Sequence, residues 1–271
     1  MFTSCHSSSI VNCPLSIIMK VTFLGTGTSQ GIPVIACACA VCASLDFRDK
    51  RLRVSIHVEV DGKSFIVDSG PDFRQQVLRE RIWQLDALLF THEHKDHPAG
   101  LDDVRSYNFK QQRDMPVYAR RQVLDQLQRE FAYIFSGAQY PGLPRVALHE
   151  IDNHPFLMEG VAVTPVEVMH YQLPVFGYRI RDFTYITDAN AISEAEMKKI
   201  EGSRVVVLNA LQMEPHVSHF TLPQALEVLE HLRPERAYLT HVSHKLGLHR
   251  EVEKKLPDFV RIAYDGLQIT V

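Results

Sequence analysis

Thr91-His92-Glu93-His94-Lys95-Asp96-His97 puts five metal-capable side chains into the six positions 92–97, directly after the apolar run Asp86-Ala87-Leu88-Leu89-Phe90. The pattern reads as a strand that ends in a turn. Neutral imidazoles and a carboxylate suit Zn²⁺, Mn²⁺ or Fe²⁺. Two histidines at i and i+2, followed by Asp96 and His97 at i+4 and i+5, cannot all reach one ion, because the turn fans them to two sides. A pair of metals on one loop is the expectation. Glu93 and Lys95 alternate with the ligand types and are expected to point outward. The bland alternative is a polar surface loop in a chain with 14 histidines, which this local density disfavours.

At 271 residues the chain can build one large core or two small ones. An apolar content of 45% with 23% charged residues is ordinary for a globular protein. No apolar run approaches the ~20 residues that span a bilayer, so no membrane partner is expected. A net charge of −3 leaves no electrostatic footprint for long nucleic acid. Five cysteines are too few for a disulfide scaffold, and a reducing cytoplasm is the expected compartment. A homodimer is left open.

Residues 1–18 form a Ser/Cys/His-rich stretch and a short apolar patch broken by Pro14. They lack the positive start and long apolar core of a secretory signal. Met19-Lys20-Val21-Thr22-Phe23-Leu24-Gly25 reads as a fresh start on a strand. Residues 1–18 are therefore expected to be an extension, non-native or flexible, and 19–271 a single domain. Asp61-Gly62, between Val54–Val60 and Ser64–Val67, signals a hairpin. Asp68-Ser69-Gly70-Pro71 is expected to open a helix through about Ile82. Further helices are expected at 120–135, 193–200, 221–232 and 247–256, and strands at 204–208, 236–240 and 266–270. Residues 107–150 read as a lid-like excursion that shapes the pocket.

The H-x-H-x-D-H loop resembles the signature of the metallo-β-lactamase superfamily, and polar residues at later strand tips follow in the matching order: His170, Asp188 and His241. The resemblance covers 19–271 and implies a four-layer αββα sandwich with a dinuclear site. It implies that His92, His94 and His170 hold one metal, Asp96, His97 and His241 the other, and that Asp188 bridges them. A hydroxide between two divalent metals (Zn or Mn) would be the nucleophile, with Asp96 orienting it. Asp68 resembles the carboxylate that orients the loop in this family; a turn residue at a helix start is the alternative. Two divalent ions less Asp96, Asp188 and hydroxide leave about one positive charge, which favours an anionic phosphodiester over a neutral amide. Lactam-hydrolysing relatives typically carry Cys where this chain has Asp188, so lactamase activity is disfavoured.

Cys37-Ala38-Cys39-Ala40-Val41-Cys42 offers three thiolates in one tight loop, enough for three ligands of a tetrahedral zinc. His244, in Thr240-His241-Val242-Ser243-His244, is the candidate fourth; free thiols or an incidental disulfide are the alternatives. This pair of motifs resembles the phosphoribosyl 1,2-cyclic phosphate phosphodiesterase branch and implies one structural zinc. By the same resemblance, His219 reaches the substrate phosphate and protonates the leaving oxygen; a solvated histidine beside an N-capping Thr221 is the plainer reading. Arg74, Arg105, Lys110 and Lys245 are candidate phosphate contacts. The expected activity is therefore metal-dependent hydrolysis of a small cyclic or nucleotide-like phosphodiester. A tRNA 3′-processing-type endonuclease and a glyoxalase-type thioester hydrolase are the alternatives.

Overall fold

The computed structural model describes residues 18–137 and 140–271. The expectation for residues 1–18 falls almost wholly outside them. The strands are β1 (Lys20–Gly25), β2 (Ser55–Val60), β3 (Lys63–Val67), β4 (Ala87–Leu89), β5 (Met115–Ala119), β6 (Val146–Glu150), β7 (Phe156–Met158) and β8 (Val161–His170). They continue with β9 (Leu173–Ile180), β10 (Phe183–Tyr185), β11 (Ala191–Ile192), β12 (Val205–Asn209), β13 (Arg236–Thr240), β14 (Val260–Ile262) and β15 (Gln268–Thr270). One sheet runs β15-β1-β2-β3-β4-β5-β6; the other runs β11-β8-β9-β10-β12-β13-β14, with β7 beside β8.

Strand periodicity decides the layers. In β12, Val205 and Val207 enter the core between the sheets, while Val206 and Leu208 join the core on the outer face. Phe65 and Val67 of β3 likewise point inward and Ile66 outward. Each sheet is thus apolar on both faces, as strands covered on both sides must be. The inner core joins Val21, Phe23 and Ile56 of one sheet to Phe176, Tyr178 and Tyr185 of the other. Helices cover the outer faces. Beyond the short α1 (Ala40–Ala43), the first sheet is covered by α2 (Phe73–Arg79), α3 (Arg105–Gln111), α4 (Arg121–Glu130) and α5 (Ala132–Phe135). The second is covered by α6 (Glu194–Ile200), α7 (Leu222–Leu232) and α8 (His249–Glu253). This is the αββα sandwich.

Local chemistry sets the helix ends. Thr221 caps α7 through a reciprocal bond pair with Gln224, and the helix stops at Arg233 in a left-handed conformation (φ 49°). Gly70 and Gly100 let the chain fold tightly under the metal loop. A Cβ on Gly70 would sit 2.1 Å from the Asp96 carbonyl oxygen, a contact no side chain tolerates.

Three expectations need correction. Residues 107–150 are not a single excursion, because β5 and β6 are integral strands of the first sheet and only the stretch between them leaves it. The helix after Asp68 starts only at Phe73, because Pro71 and Asp72 form a turn. The helix expected over 120–135 breaks at Phe131, which leaves helical geometry at φ −108°, ψ 38°. Among the described residues, no helix is long and apolar enough to cross a membrane.

Candidate metal centre

The site lies along one edge of the sandwich, where strands of both sheets end. From the first sheet, the segment after β4 brings His92, His94, Asp96 and His97. From the second come His170 at the end of β8, Asp188 after β10, and His241 immediately after β13. Asp68, Asp188 and His241 all hold positive φ (65°, 56° and 52°) at these strand ends. Such backbone costs roughly 1–2 kcal/mol for a residue other than glycine and persists only where surroundings enforce it. Here it turns each side chain from the strand line toward one point.

The side chains form two groups around Asp188. His92, His94 and His170 have ring nitrogens within 4.8 Å of one another, as do the donor atoms of Asp96, His97 and His241. His92 Nε2 and His94 Nδ1 are 3.1 Å apart. His97 Nε2 lies 3.4 Å from Asp96 Oδ2 and 3.5 Å from Asp188 Oδ2. His241 Nε2 lies 3.0 Å from Asp188 Oδ1. Yet His97 Nε2 and both ring nitrogens of His241 are buried with no hydrogen-bond partner. Donors at this spacing but out of hydrogen-bonding alignment match ligands of a shared cation: two atoms each about 2.1 Å from one ion stand roughly 3–3.5 Å apart. The donor set, imidazole and carboxylate only, fits divalent zinc or manganese.

Electrostatics agrees. Burial opposes a charged Asp188, but His241 and His97 hold its carboxyl well below the usual range. Burial likewise opposes charge on His97, and the carboxylates of Asp68, Asp188 and Asp96 outweigh it, raising His97 well above an ordinary imidazole. Buried carboxylates converging on one imidazole make a strongly negative field, which a cation would balance.

A supporting layer fixes the candidate ligands. Asp68, fully buried, accepts from the Thr91 N–H (2.9 Å), the Thr91 hydroxyl (2.8 Å) and His97 Nδ1 (2.7 Å). An ionised carboxylate can only accept, so Nδ1 carries a proton, and a cation at Nε2 would take the place of the second proton that the surrounding carboxylates favour there. His170 Nδ1 is held the same way by the Ser218 carbonyl at 2.9 Å. The Asn209 side chain clamps both backbone groups of Ala189, next to Asp188. Thr91, Ser218 and Asn209 were not among the sequence candidates. Only Asn209 carried a signal there, as a polar residue at the tip of an apolar strand.

His219 is buried, not solvated, even though Thr221 does cap α7. Its ring stacks on His241 at 4.7 Å, and its unpartnered Nδ1 lies 3.8 Å from Asp188 Oδ1. Burial, reinforced by His241, pushes His219 down to about 3, so it faces the site as a neutral ring. Glu93 is partly buried against Gln122, and Lys95 reaches out to Glu130 at 2.6 Å. Arg74 and Lys110 line a different cavity, with Trp83 and Tyr107, that includes none of the site residues.

At the same edge, His244 turns away from the histidine–aspartate cluster. Its Nδ1 lies 3.3, 3.4 and 3.5 Å from the sulfurs of Cys37, Cys39 and Cys42. A tetrahedral zinc with Zn–N about 2.1 Å and Zn–S about 2.3 Å separates N and S by about 3.6 Å, so the donors fit. Backbone N–H groups of Cys42 and Val34 donate to the sulfurs of Cys39 and Cys42. The Cys42 amide and His244 bring the Cys39 thiol down to about 6. The chain next to this cluster pairs with the edge that carries His241 through the bridge of Gly27 to Val242.

Comparison with known proteins places this architecture. A model of the beta-lactamase superfamily domain matches residues 63–242. The crystal structure of a diphosphatase from the PhnP family superposes with a TM-score of 0.87 at 38% identity, covering 93% of this chain and 97% of that one. A Porphyromonas gingivalis protein named octanoyltransferase is 38% identical over 256 residues, 93% of this chain and 52% of its own length. Coenzyme PQQ synthesis protein B of Xanthomonas oryzae is 27% identical over 164 residues, 55% of this chain and 52% of its own. The chain therefore spans about half the length of these curated relatives. Given a family match through the metal loop and a relative alike across nearly the whole fold, the chain belongs to the metallo-β-lactamase superfamily, in its PhnP-like branch.

Proposed function

We propose that this hydrolase is a two-metal phosphodiesterase acting on a small cyclic or nucleotide-like phosphodiester. The observation that carries the reading is the shared position of Asp188: its carboxylate has an oxygen within 4.8 Å of a ring nitrogen of His92 and of His170 on one side, and lies 3.5 Å from His97 and 3.0 Å from His241 on the other. A carboxylate there would be available to two cation positions, one held by His92, His94 and His170 and the other by Asp96, His97 and His241. Two divalent cations bound there would supply Lewis acidity and neutralise charge at a phosphoryl oxygen.

The remaining roles belong to the chain itself. Asp96 is the less buried of the two site carboxylates (side chain 15% exposed against 4% for Asp188) and can take a proton from attacking water. His219 offers its ring N–H to the leaving oxygen from a fixed, buried position. Asp68 and the Ser218 carbonyl keep His97 and His170 in the tautomers that leave Nε2 free. The cluster of Cys37, Cys39, Cys42 and His244 would hold a structural zinc, closed to substrate, that ties the N-terminal loop to the edge carrying His241.

A second reading, hydrolysis of an acyl thioester, draws only on a relative named octanoyltransferase, of whose length this chain matches 52%. A substrate panel separates the readings: bis(p-nitrophenyl) phosphate, cyclic phosphates, a diphosphate, precursor tRNA and acyl thioesters, each with the zinc- or manganese-loaded protein. The proposal expects the small phosphodiesters to be turned over fastest. Turnover confined to thioesters would replace it, and turnover confined to precursor tRNA would assign the nuclease role.

A further inference from the structure

The histidine–aspartate cluster is polar, but the surface of the mouth beside it is mostly apolar. Tyr171, next to His170, is 59% exposed, and Val217, two residues before His219, is 72% exposed. Both line a cavity of about 510 Å³ with His94, His170, Leu173 and Ser218. That size suits a small organic ligand. The bond from His170 Nδ1 to the Ser218 carbonyl joins the two loops. Each exposed apolar side chain is therefore held at a fixed offset from a site histidine.

Tyr171 occupies an unusual place. His170 pairs with Leu173 across a two-residue turn, whose first position Tyr171 takes at φ 57°. Glycine, asparagine or aspartate is the ordinary choice there, and a bulky aromatic is an outlier. The backbone is pinned: the Tyr171 N–H donates to Asn190 Oδ1 at 2.7 Å, and the Asn190 N–H donates to the Met169 carbonyl at 2.8 Å. The fold thus bears a strained turn without gaining a buried ring. Strain of this kind gathers where a ligand is held.

We infer that Tyr171, with Val217, determines specificity by holding a nucleobase, so that the substrate is a nucleotide-type phosphodiester rather than a bare sugar phosphate. The inference rests on the phosphodiesterase reading above. An exposed aromatic face suits a flat base, which stacks on one side and stays open to water on the other. An acyl chain would gain little from so open a rim, because its binding depends on enclosure. Gln172, exposed beside Tyr171, carries an amide that can both donate to and accept from a base edge.

The test compares kcat/KM for adenosine 2′,3′-cyclic phosphate with that for ribose cyclic phosphate lacking the base, in wild type, Tyr171→Phe and Tyr171→Ala. Stacking predicts a wild-type preference of about tenfold or more for the nucleoside substrate. Tyr171→Phe should keep that ratio and Tyr171→Ala should collapse it. Calorimetric binding of AMP against ribose 5-phosphate reads the same discrimination without turnover. Equal binding of the two, or a ratio unchanged in Tyr171→Ala, overturns the inference. If AMP is preferred through Tyr171 while no phosphodiester is cleaved, the rim stands and the phosphodiesterase reading fails. If bis(p-nitrophenyl) phosphate is cleaved without base discrimination, the rim alone fails.

Discussion

Asp68 Oδ2 lies 2.7 Å from His97 Nδ1, and neither side chain has any solvent exposure. The same carboxylate holds the Thr91 N–H and hydroxyl, so one residue at the end of β3 fixes the start and the end of the metal loop. Burial pushes the Asp68 carboxyl up, and His97 with both Thr91 donors works against that. The position is a fulcrum: without it, His97 can rotate and present the wrong nitrogen.

Asp68→Asn keeps the shape but removes the charge and one acceptor for His97. Its expected effect is a metal affinity about 10–100-fold weaker at the His97 position, with secondary structure retained. Competition against a chromophoric chelator reads this. An affinity equal to wild type would mean that Asp68 only terminates a strand.

Cys39→Ser should lower bound zinc by about one ion per chain and reduce the melting temperature, while the metals at the histidine cluster stay. The reason is geometric, since His244 Nδ1 lies within 3.5 Å of all three sulfurs and each supplies one corner of the site. Elemental analysis with a thermal melt decides it. Unchanged zinc in the variant would reduce the motif to free thiols.

His57 gives the protein an acid limit that is independent of the metal centre. It lies on β2, buried and bonded to the Ser64 hydroxyl of β3 at 2.8 Å, and burial brings it down to about 4. Glu59 and Glu80 pull the other way, and Lys20 assists the drop. The folded value lies below the unfolded one near 6.5, so the unfolded chain takes up the proton first as pH falls. Stability from this group is therefore complete above about pH 6.5 and lost as pH drops through 4, a span of roughly 3 kcal/mol. His57→Gln should flatten the denaturant-midpoint profile between pH 6.5 and 4. A slope equal to wild type would show that other groups set the acid limit.

The metal loop was legible because its ligand types are dense and local, and the sandwich because strands such as Val205–Asn209 are apolar on both faces. His170, Asp188 and His241 were legible only as polar residues at strand tips in a family order, and His244 only as the partner that the cysteine motif lacked. What escaped the reading has physical causes. The Ser218 carbonyl that holds His170 has no side-chain signature. β5 falls inside the 107–150 stretch, and its Pro116 is a residue that central strands rarely carry. The sheet accommodates it because the ladder with β4 starts at Val117, one residue past the proline. The strained Tyr171 turn follows no composition rule, since its backbone is set by Asn190 across the sheet end.

The account turns on Asp188, and the most direct measurement is kcat/KM on bis(p-nitrophenyl) phosphate for metal-loaded wild type and Asp188→Ala, with circular dichroism as the check on folding. On the two-metal proposal, removing the Asp188 carboxylate would take away a ligand from each cation position. The account predicts measurable wild-type turnover, abolished by a chelator and restored by zinc or manganese, and a fall of about 10³-fold or more in the folded variant. A folded Asp188→Ala protein that hydrolyses the diester within a few-fold of wild type would contradict it.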